Sequence, residues 1–577
     1  MPAHAQTIRE HLTFLYGDRG SAAYEPLQER LDAFARRHPE LLAKRSGAGE
    51  RLTERDVVLI TYGDQVREPG IKPLRSLGEF AAERLQGLVS TVHILPFCPY
   101  SSDDGFAVVD YLQVNPAWGT WDDITAIGGS FRLMFDLVLN HMSRQSEWFK
   151  RFCAGDDEFA NHFIVVDPGA DLSQVTRPRT LPLLTQVETS AGPRWVWTTF
   201  SDDQIDLNFA EPTLLLRMID VLLYYAAQGA EIIRLDAIAY LWKRIGTSCI
   251  HLEETHRVVK LLRAILDQVA PGVMIITETN VPHTENISYF GNGIDEAQLV
   301  YQFPLPPLTL HAIASGDASY LTHWAQSLMD PGPEATFYNF LASHDGIGVR
   351  PVEGILPPSE VQALAERVQR HGGHVSYRSN PDGSQTAYEL NISYFDALSD
   401  PRADEAQALQ VARFMAAHAV ILSLQGVPAI YVHSLLGSRN DHEGVRQTGH
   451  PRSINREKLA RARLEQELDH AGSLRAAVLA GFERLLTTRR AEPAFHPTAG
   501  QQVLDLEPEL LALRRQPCSG APVLCLINVS DHEMVCWAPL DRNAIDVLSG
   551  RAFAPSQGHV KLKLAPYEVL WLKEVQA

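Results

Sequence analysis

The chain is poor in cysteine. Six occur in 577 residues (Cys98, Cys153, Cys249, Cys518, Cys525 and Cys536), and no two form a CxxC pair. That spacing argues against both a disulfide scaffold and a zinc ribbon. A surplus of positive charge is missing as well: the formal net charge is −19. Nucleic-acid binding would call for a basic stripe, so no nucleic-acid partner is expected, and the acidity reads as solubility. No apolar run approaches the roughly 18 residues of a membrane span. The N-terminal MPAHAQTIREHLTFLYG has no apolar stretch after a basic start, so no secretory leader is expected. A cytoplasmic protein without membrane contact follows, and the sequons at Asn286, Asn391 and Asn528 are expected to stay unglycosylated. No Gly-rich phosphate loop of the Walker or dinucleotide type is present. HLEETH (251–256) imitates a metalloprotease helix, but its glutamate is misplaced and its histidines stand five apart, off a shared face. No metal site is expected.

At 45% hydrophobic residues, the chain can bury a large core in more than one domain. Residues 1–50 are polar, with a helical apolar spacing in LQERLDAFARRHPELL; they read as a helical preface outside the core. Eight strand candidates then alternate with helical segments: VVLITY (57–62), TVHILP (91–96), FRLMFDLVLNH (131–141), EIIRLDA (231–237), VMIITE (273–278), AQLVYQF (297–303), TFYNFLASHD (336–345) and GVPAIYV (426–432). Eight strands with intervening helices predict an α/β fold, a (β/α)8 TIM barrel. The barrel is assigned to 51–141 and 208–490. Two connections are too long for simple loops and read as small inserted domains, 142–207 after strand 3 and 346–400 after strand 7. From 491 to 577, VLCLINVS, EMVCWAP and VKLKLAPYEVLWLK read as short strands of a C-terminal antiparallel β-domain.

Polar residues gather at the C-terminal strand ends, the rim where such barrels build active sites. DLVLNH brings Asp136, Asn140 and His141, IIRLDA brings Arg234 and Asp236, IITE brings Glu278, and SHD brings His344 and Asp345. Taken singly, Asp136 and Asn140 read as loop braces. Taken together, Asp236, Glu278 and Asp345 with two histidines on one rim are hard to explain as packing. Two carboxylates facing across a sugar are the minimum for glycosidic chemistry. Arg234 shares a strand face with Asp236 by the period of two and can keep it ionised as nucleophile. Glu278 is then the acid/base, and burial or neighbouring charge must hold it partly protonated.

DLVLNH, IIRLDA, ITE and SHD resemble, in order and spacing, the four recurrent motifs of the α-amylase clan, glycoside hydrolase family thirteen, over roughly residues 55 to 460. The resemblance implies a retaining double displacement on α-glucosides, with Asp236 as nucleophile, Glu278 as acid/base and Asp345 clamping sugar hydroxyls. It makes His141 and His344 sugar contacts. HILPFCPYSSDDGF, YLWKRIGTSC, RPR (177–179), HDGIGV and RSINR (452–456) narrow it to the sucrose phosphorylase subfamily. That comparison makes Asp103 and Arg452 partners of the outer glucose hydroxyls, and Phe106 and Phe200 apolar walls, each of which could equally be core filling. Calcium occurs in the wider clan, but no ligand cluster is found here, and no cofactor is required because the covalent sugar ester does a cofactor's work.

A phosphorylase differs from a hydrolase in what attacks that ester. Phosphate needs cationic donors, and Arg177 and Arg179 in the first insertion are candidates; the resemblance favours Arg179. The helical preface, RPVEGIL after HDGIGV, and GHPRSINREK resemble the glucosylglycerate phosphorylases of that subfamily. Arg350 suits an acceptor bearing a carboxylate. Reversible phosphorolysis of 2-O-α-glucosyl-glycerate to α-glucose 1-phosphate and glycerate is the expected reaction. Sucrose, sucrose 6'-phosphate and glucosylglycerol are the alternative substrates, and an α-glucosidase or transglucosidase is a more remote one. The partners expected are an α-glucoside and inorganic phosphate, with a homodimer left open.

Overall fold

The computed structural model describes residues 2–44, 51–178, 181–379 and 385–575. All eight expected runs form strands: β1 Val58–Thr61, β2 Thr91–Ile94, β3 Arg132–Val138, β4 Ala230–Asp236, β5 Met274–Thr277, β6 Leu299–Tyr301, β7 Thr336–Phe340 and β8 Val427–Tyr431. They lie parallel in chain order, and β8 closes on β1 through the register Val58↔Ala429. Every residue of β1, β2 and β5 to β8 is buried. This is the condition of a sheet covered on both faces, and it explains the unbroken apolar runs. The strands stop short of their runs because the last residues of each run turn over the rim. That is where the polar groups sit.

Helices Pro2–Tyr16 (α1) and Asp18–Arg37 (α2) precede the barrel and pack on two of its outer helices, Pro212–Ala227 (α3) and Glu253–Val269 (α4). Here the structure departs from expectation. Ile8, Leu12, Leu27 and Leu31 are wholly buried and belong to the same apolar cluster as the barrel. The polar composition belongs to the outer face of these helices only. The Tyr16 hydroxyl donates to the Phe209 carbonyl (2.8 Å), and the Arg257 guanidinium lies over the Phe14 ring (4.4 Å), so the preface is fastened at its corner and along α4.

The connection after β3 holds helix Glu147–Ala154, a hairpin of Leu184–Thr189 with Gly192–Trp197, and a short pairing of His141–Ser143 with Gln204–Asp206. After β7, Ile347–Gly348 joins a sheet with Gln385–Asn391 and His374–Ser379, beside helix Pro358–Arg370. The C-terminal strands, from Gly500, form a six-stranded antiparallel sheet backed by the pair Met534–Pro539 and His559–Leu564. Arg515 and Trp571 anchor this domain to the barrel by donating to the Ser423 carbonyl and hydroxyl (2.9 and 3.0 Å). The sequon asparagines Asn286, Asn391 and Asn528 are all buried, so the folded chain has no room for a glycan there. All six cysteines are free thiols.

Candidate active site

The rim at the C-terminal ends of the strands brings the chemistry together. In the β3–β4 ladder, Asp136 stands beside Arg234 and Val138 beside Asp236. The Arg234 guanidinium spans both carboxylates: Nη1 lies 2.7 Å from Asp236 Oδ1 and also donates to Asp136. His93 Nε2 meets Asp136 at 2.6 Å. Although burial works against it, the charge of Arg234 and the hydrogen bond with His93 hold the Asp136 carboxyl below its usual range. Asp136 is thus a brace that fixes the guanidinium, as its residue type alone indicated.

Directly after Asp236 the chain turns through Ala237, a non-glycine residue in the left-handed region (φ 49°). Such strain is retained where the surroundings impose it. Here it aims the Ala237 N–H at Glu278 Oε2, 3.0 Å away. Burial raises both the Asp236 and the Glu278 carboxyl above their ordinary values, against the pull of Arg234. Two such groups in one buried site titrate as a pair holding a single proton. The guanidinium in contact with Asp236 favours the charge there, while the hydrogen-bond support of Glu278 among the described residues is a single backbone N–H.

His344 and Asp345 follow β7, with Nε2 3.6 Å from Oδ2. Burial lowers the His344 pKa to about 3 and the His141 pKa to about 4, so both imidazoles are neutral. Asp345 behaves oppositely. Burial opposes its charge, but the guanidinium groups of Arg452, Arg456 and Arg234 hold it well below the usual carboxylate range. Arg452 Nη1 lies 2.7 Å from Asp345 Oδ1. The late RSINR segment wraps the SHD turn: Arg456 Nε donates to the His344 carbonyl (2.8 Å) and Asn455 Nδ2 to the Ser343 carbonyl (2.9 Å).

All ten residues expected to carry chemistry or hold the sugar line one cavity: Asp103, Phe106, His141, Phe200, Arg234, Asp236, Glu278, His344, Asp345 and Arg452. Phe106 stacks on His344 (4.8 Å, 6°), and Phe200 packs edge-on against Tyr240 (5.6 Å). The acceptor residues differ. Arg177 is exposed, donates to the Leu181 carbonyl and does not line the cavity, although the neighbouring Pro178 does. Arg179 lies outside the described residues. Arg350 stands one layer behind the wall, hydrogen-bonded to the Tyr240 hydroxyl, with a buried Nε that has no partner among the described residues. Gly346 and Gly348 of the HDGIGV motif do not have positive φ. Their reason is close approach: a Cβ would meet Glu389 Cγ at 2.6 Å and the Asn280 amide at 2.9 Å respectively.

Sequence reasoning missed Tyr240, Asn280 and Tyr388 in the wall, and Lys243 beneath it. Lys243 Nζ is buried between Asp206 Oδ2 (2.5 Å) and Asn140 Oδ1 (2.6 Å). YLWK held the only signal for it, a lone lysine in an apolar loop. Lys243→Ala strands the Asp206 carboxylate, which is fully buried. We expect it to destabilise the protein by about 3–5 kcal/mol, seen as a clear fall in the chemical-denaturation midpoint, and an unchanged midpoint would refute this account of the pair. A wider hollow lies between the barrel helices and the C-terminal domain, around Arg367, Arg413 and Tyr567. It is remote from the strand ends, and its Glu405 is already paired with Arg413 (2.7 Å).

Residues 85–347 match the alpha-amylase catalytic-domain family. The chain is 49% identical, over 99% of its length and 99% of the relative's, to a glucosylglycerate phosphorylase of Allomeiothermus silvanus. It is 34% identical to a sucrose phosphorylase of Agrobacterium vitis over 76% of its length and 88% of the relative's. In three dimensions it superposes on a sucrose 6F-phosphate phosphorylase from Thermoanaerobacter thermosaccharolyticum with a TM-score of 0.72 and 23% identity, covering 89% of this chain and 98% of the other. That likeness fixes the fold.

Proposed function

The chain belongs to the alpha-amylase family, and within it we propose that it phosphorolyses 2-O-α-glucosyl-glycerate reversibly, giving α-glucose 1-phosphate and glycerate. The observation that carries this is the near full-length 49% identity to a glucosylglycerate phosphorylase, well above that to sucrose phosphorylase. The Arg350 guanidinium, one layer behind the wall on the Tyr240 hydroxyl, brings a positive charge to that side of the cavity, which fits an acceptor with a carboxylate. A cytoplasmic setting suits a phosphorylated product, which membranes retain.

The reaction is a double displacement. The Asp236 carboxylate, oriented by Arg234, attacks the anomeric carbon while Glu278 gives its proton to the departing glycerate oxygen. A glucosyl ester on Asp236 results. Phosphate enters on the acceptor side, Glu278 now accepts its proton, and the phosphate oxygen displaces Asp236, restoring the α configuration. Asp345 and Arg452 hold the glucose hydroxyls, and Phe106 and Phe200 wall the ring. Arg179 is the cation we assign to the phosphate.

Incubating the enzyme with glucosylglycerate, with and without phosphate, tests this. α-Glucose 1-phosphate should form only with phosphate; free glucose formed equally well without it would make the protein a hydrolase. The shared proton also sets a pH profile. Burial raises Glu278 above its ordinary value, and the group works protonated in the first step, so kcat/KM falls as pH rises through that raised pKa. The alkaline limb should therefore lie above the ordinary carboxylate range and vanish in Glu278→Gln assayed with α-glucosyl fluoride. A limb that persists in that variant would assign it to another group.

A further inference from the structure

Glu389 belongs to the insertion after β7, in the strand Gln385–Asn391, and pairs in register with Gly348. It is 5% exposed, and no motif in the sequence points to it. Its side chain nonetheless closes on two parts of the site at once. Arg452 faces it with two nitrogens, Nη2 at 3.0 Å from Oε1 and Nε at 3.3 Å from Oε2. Oε1 also accepts the Gly346 N–H (2.8 Å), the residue directly after Asp345. Arg452 keeps Nη1 for Asp345 Oδ1 (2.7 Å). One guanidinium is therefore shared by two carboxylates, one of which belongs to the cavity and one to the insertion.

We propose that Glu389 is a positioning residue for the glucose-holding side: it holds Arg452 and the Asp345–Gly346 turn so that Asp345 keeps an oxygen free for the sugar. The proposal rests on the glucose-holding role given above to Asp345 and Arg452. A planar guanidinium tends to a two-point pair with a carboxylate. With Glu389 in place, that pairing is taken up by the insertion and Asp345 receives a single contact. Without it, Arg452 is free to turn its second nitrogen onto Asp345 and occupy both oxygens. The Gly346 N–H would lose its acceptor as well, and with it the register of the turn. The absent Cβ at Gly346 is what allows Glu389 Cγ so close. Glycine in the turn and glutamate in the insertion form one device.

The test is steady-state kinetics of Glu389→Ala and Glu389→Gln, with α-glucosyl fluoride and α-glucose 1-phosphate as donors and glycerate as acceptor, alongside thermal denaturation. For Glu389→Ala, kcat/KM for both donors should fall about 10–100-fold, as expected when a supporting partner of a site residue is lost, with the glycerate KM within about two-fold of wild type at saturating donor. Glu389→Gln keeps an acceptor for the Gly346 N–H and should recover part of the loss. If the alanine variant fails to fold, the glutamine variant alone should still show the donor-selective loss. Donor kinetics unchanged in the folded variants, or a glycerate KM that rises as much as the donor's, would overturn the proposal. Hydrolysis of α-glucosyl fluoride needs no particular acceptor, so this readout stands even if glycerate proves to be the wrong one.

Discussion

Asp236→Asn will abolish glucosylation by every donor, whereas Glu278→Gln will abolish that step only with donors whose leaving group needs a proton. An amide cannot form the glucosyl ester, so Asp236→Asn should cost at least about 10⁴-fold in kcat, whatever leaves. General acid catalysis is worth about 10²–10⁴-fold, and fluoride departs without it. Glu278→Gln should therefore glucosylate Asp236 from α-glucosyl fluoride at near wild-type rate and then stall with glycerate, since no base remains to activate its hydroxyl. Both variants should fold. Arg234 retains Asp136 as a partner when Asp236 is neutralised, and a glutamine oxygen can still accept the Ala237 N–H that Glu278 receives. Equal losses with both donors in Glu278→Gln would place the acid elsewhere.

The second large effect concerns Arg350. Glycerate and glycerol differ by a carboxylate, and the insertion after β7 sets the Arg350 guanidinium on the hydroxyl of Tyr240, a residue of the cavity wall. Removing one partner of a buried charge-assisted contact costs about 2–5 kcal/mol, that is, more than 10-fold in affinity and up to several thousand-fold. Arg350→Ala should raise the glycerate KM by about 100-fold while leaving the KM for α-glucose 1-phosphate close to wild type. Arg350→Lys, which keeps the charge but not the fork, should fall between. Preference for glycerate over glycerol should collapse in Arg350→Ala; a preference that survives there would remove Arg350 from acceptor choice.

The barrel was legible because its strands are buried on both faces, so VVLI (57–60), VMII (273–276) and VPAIY (427–431) stand out as apolar runs. The cluster proposed for the donor side was legible in place, if not in role, for a related reason: Arg234, Asp236, Glu278, His344 and Asp345 sit within or just beyond the strand runs, and the barrel itself carries them to one cavity. Glu389 and Tyr388 were not. They arrive on an inserted strand whose pairing with Ile347–Gly348 is a long-range contact, invisible to periodicity. Nor was the layering at Tyr240, which stands between Arg350 and the cavity. The role of Gly346 and Gly348 was hidden as well, since sequence shows that a side chain is absent and not what fills its place. The preface misled through composition: its solvent face is polar, while Leu27 and Leu31 are at zero exposure in the common core.

Acceptor choice is measured by phosphate release from α-glucose 1-phosphate with glycerate, fructose, fructose 6-phosphate or glycerol as the only acceptor. Release with glycerate, far exceeding that with the other three, is the predicted result. Release with fructose and none with glycerate would contradict it.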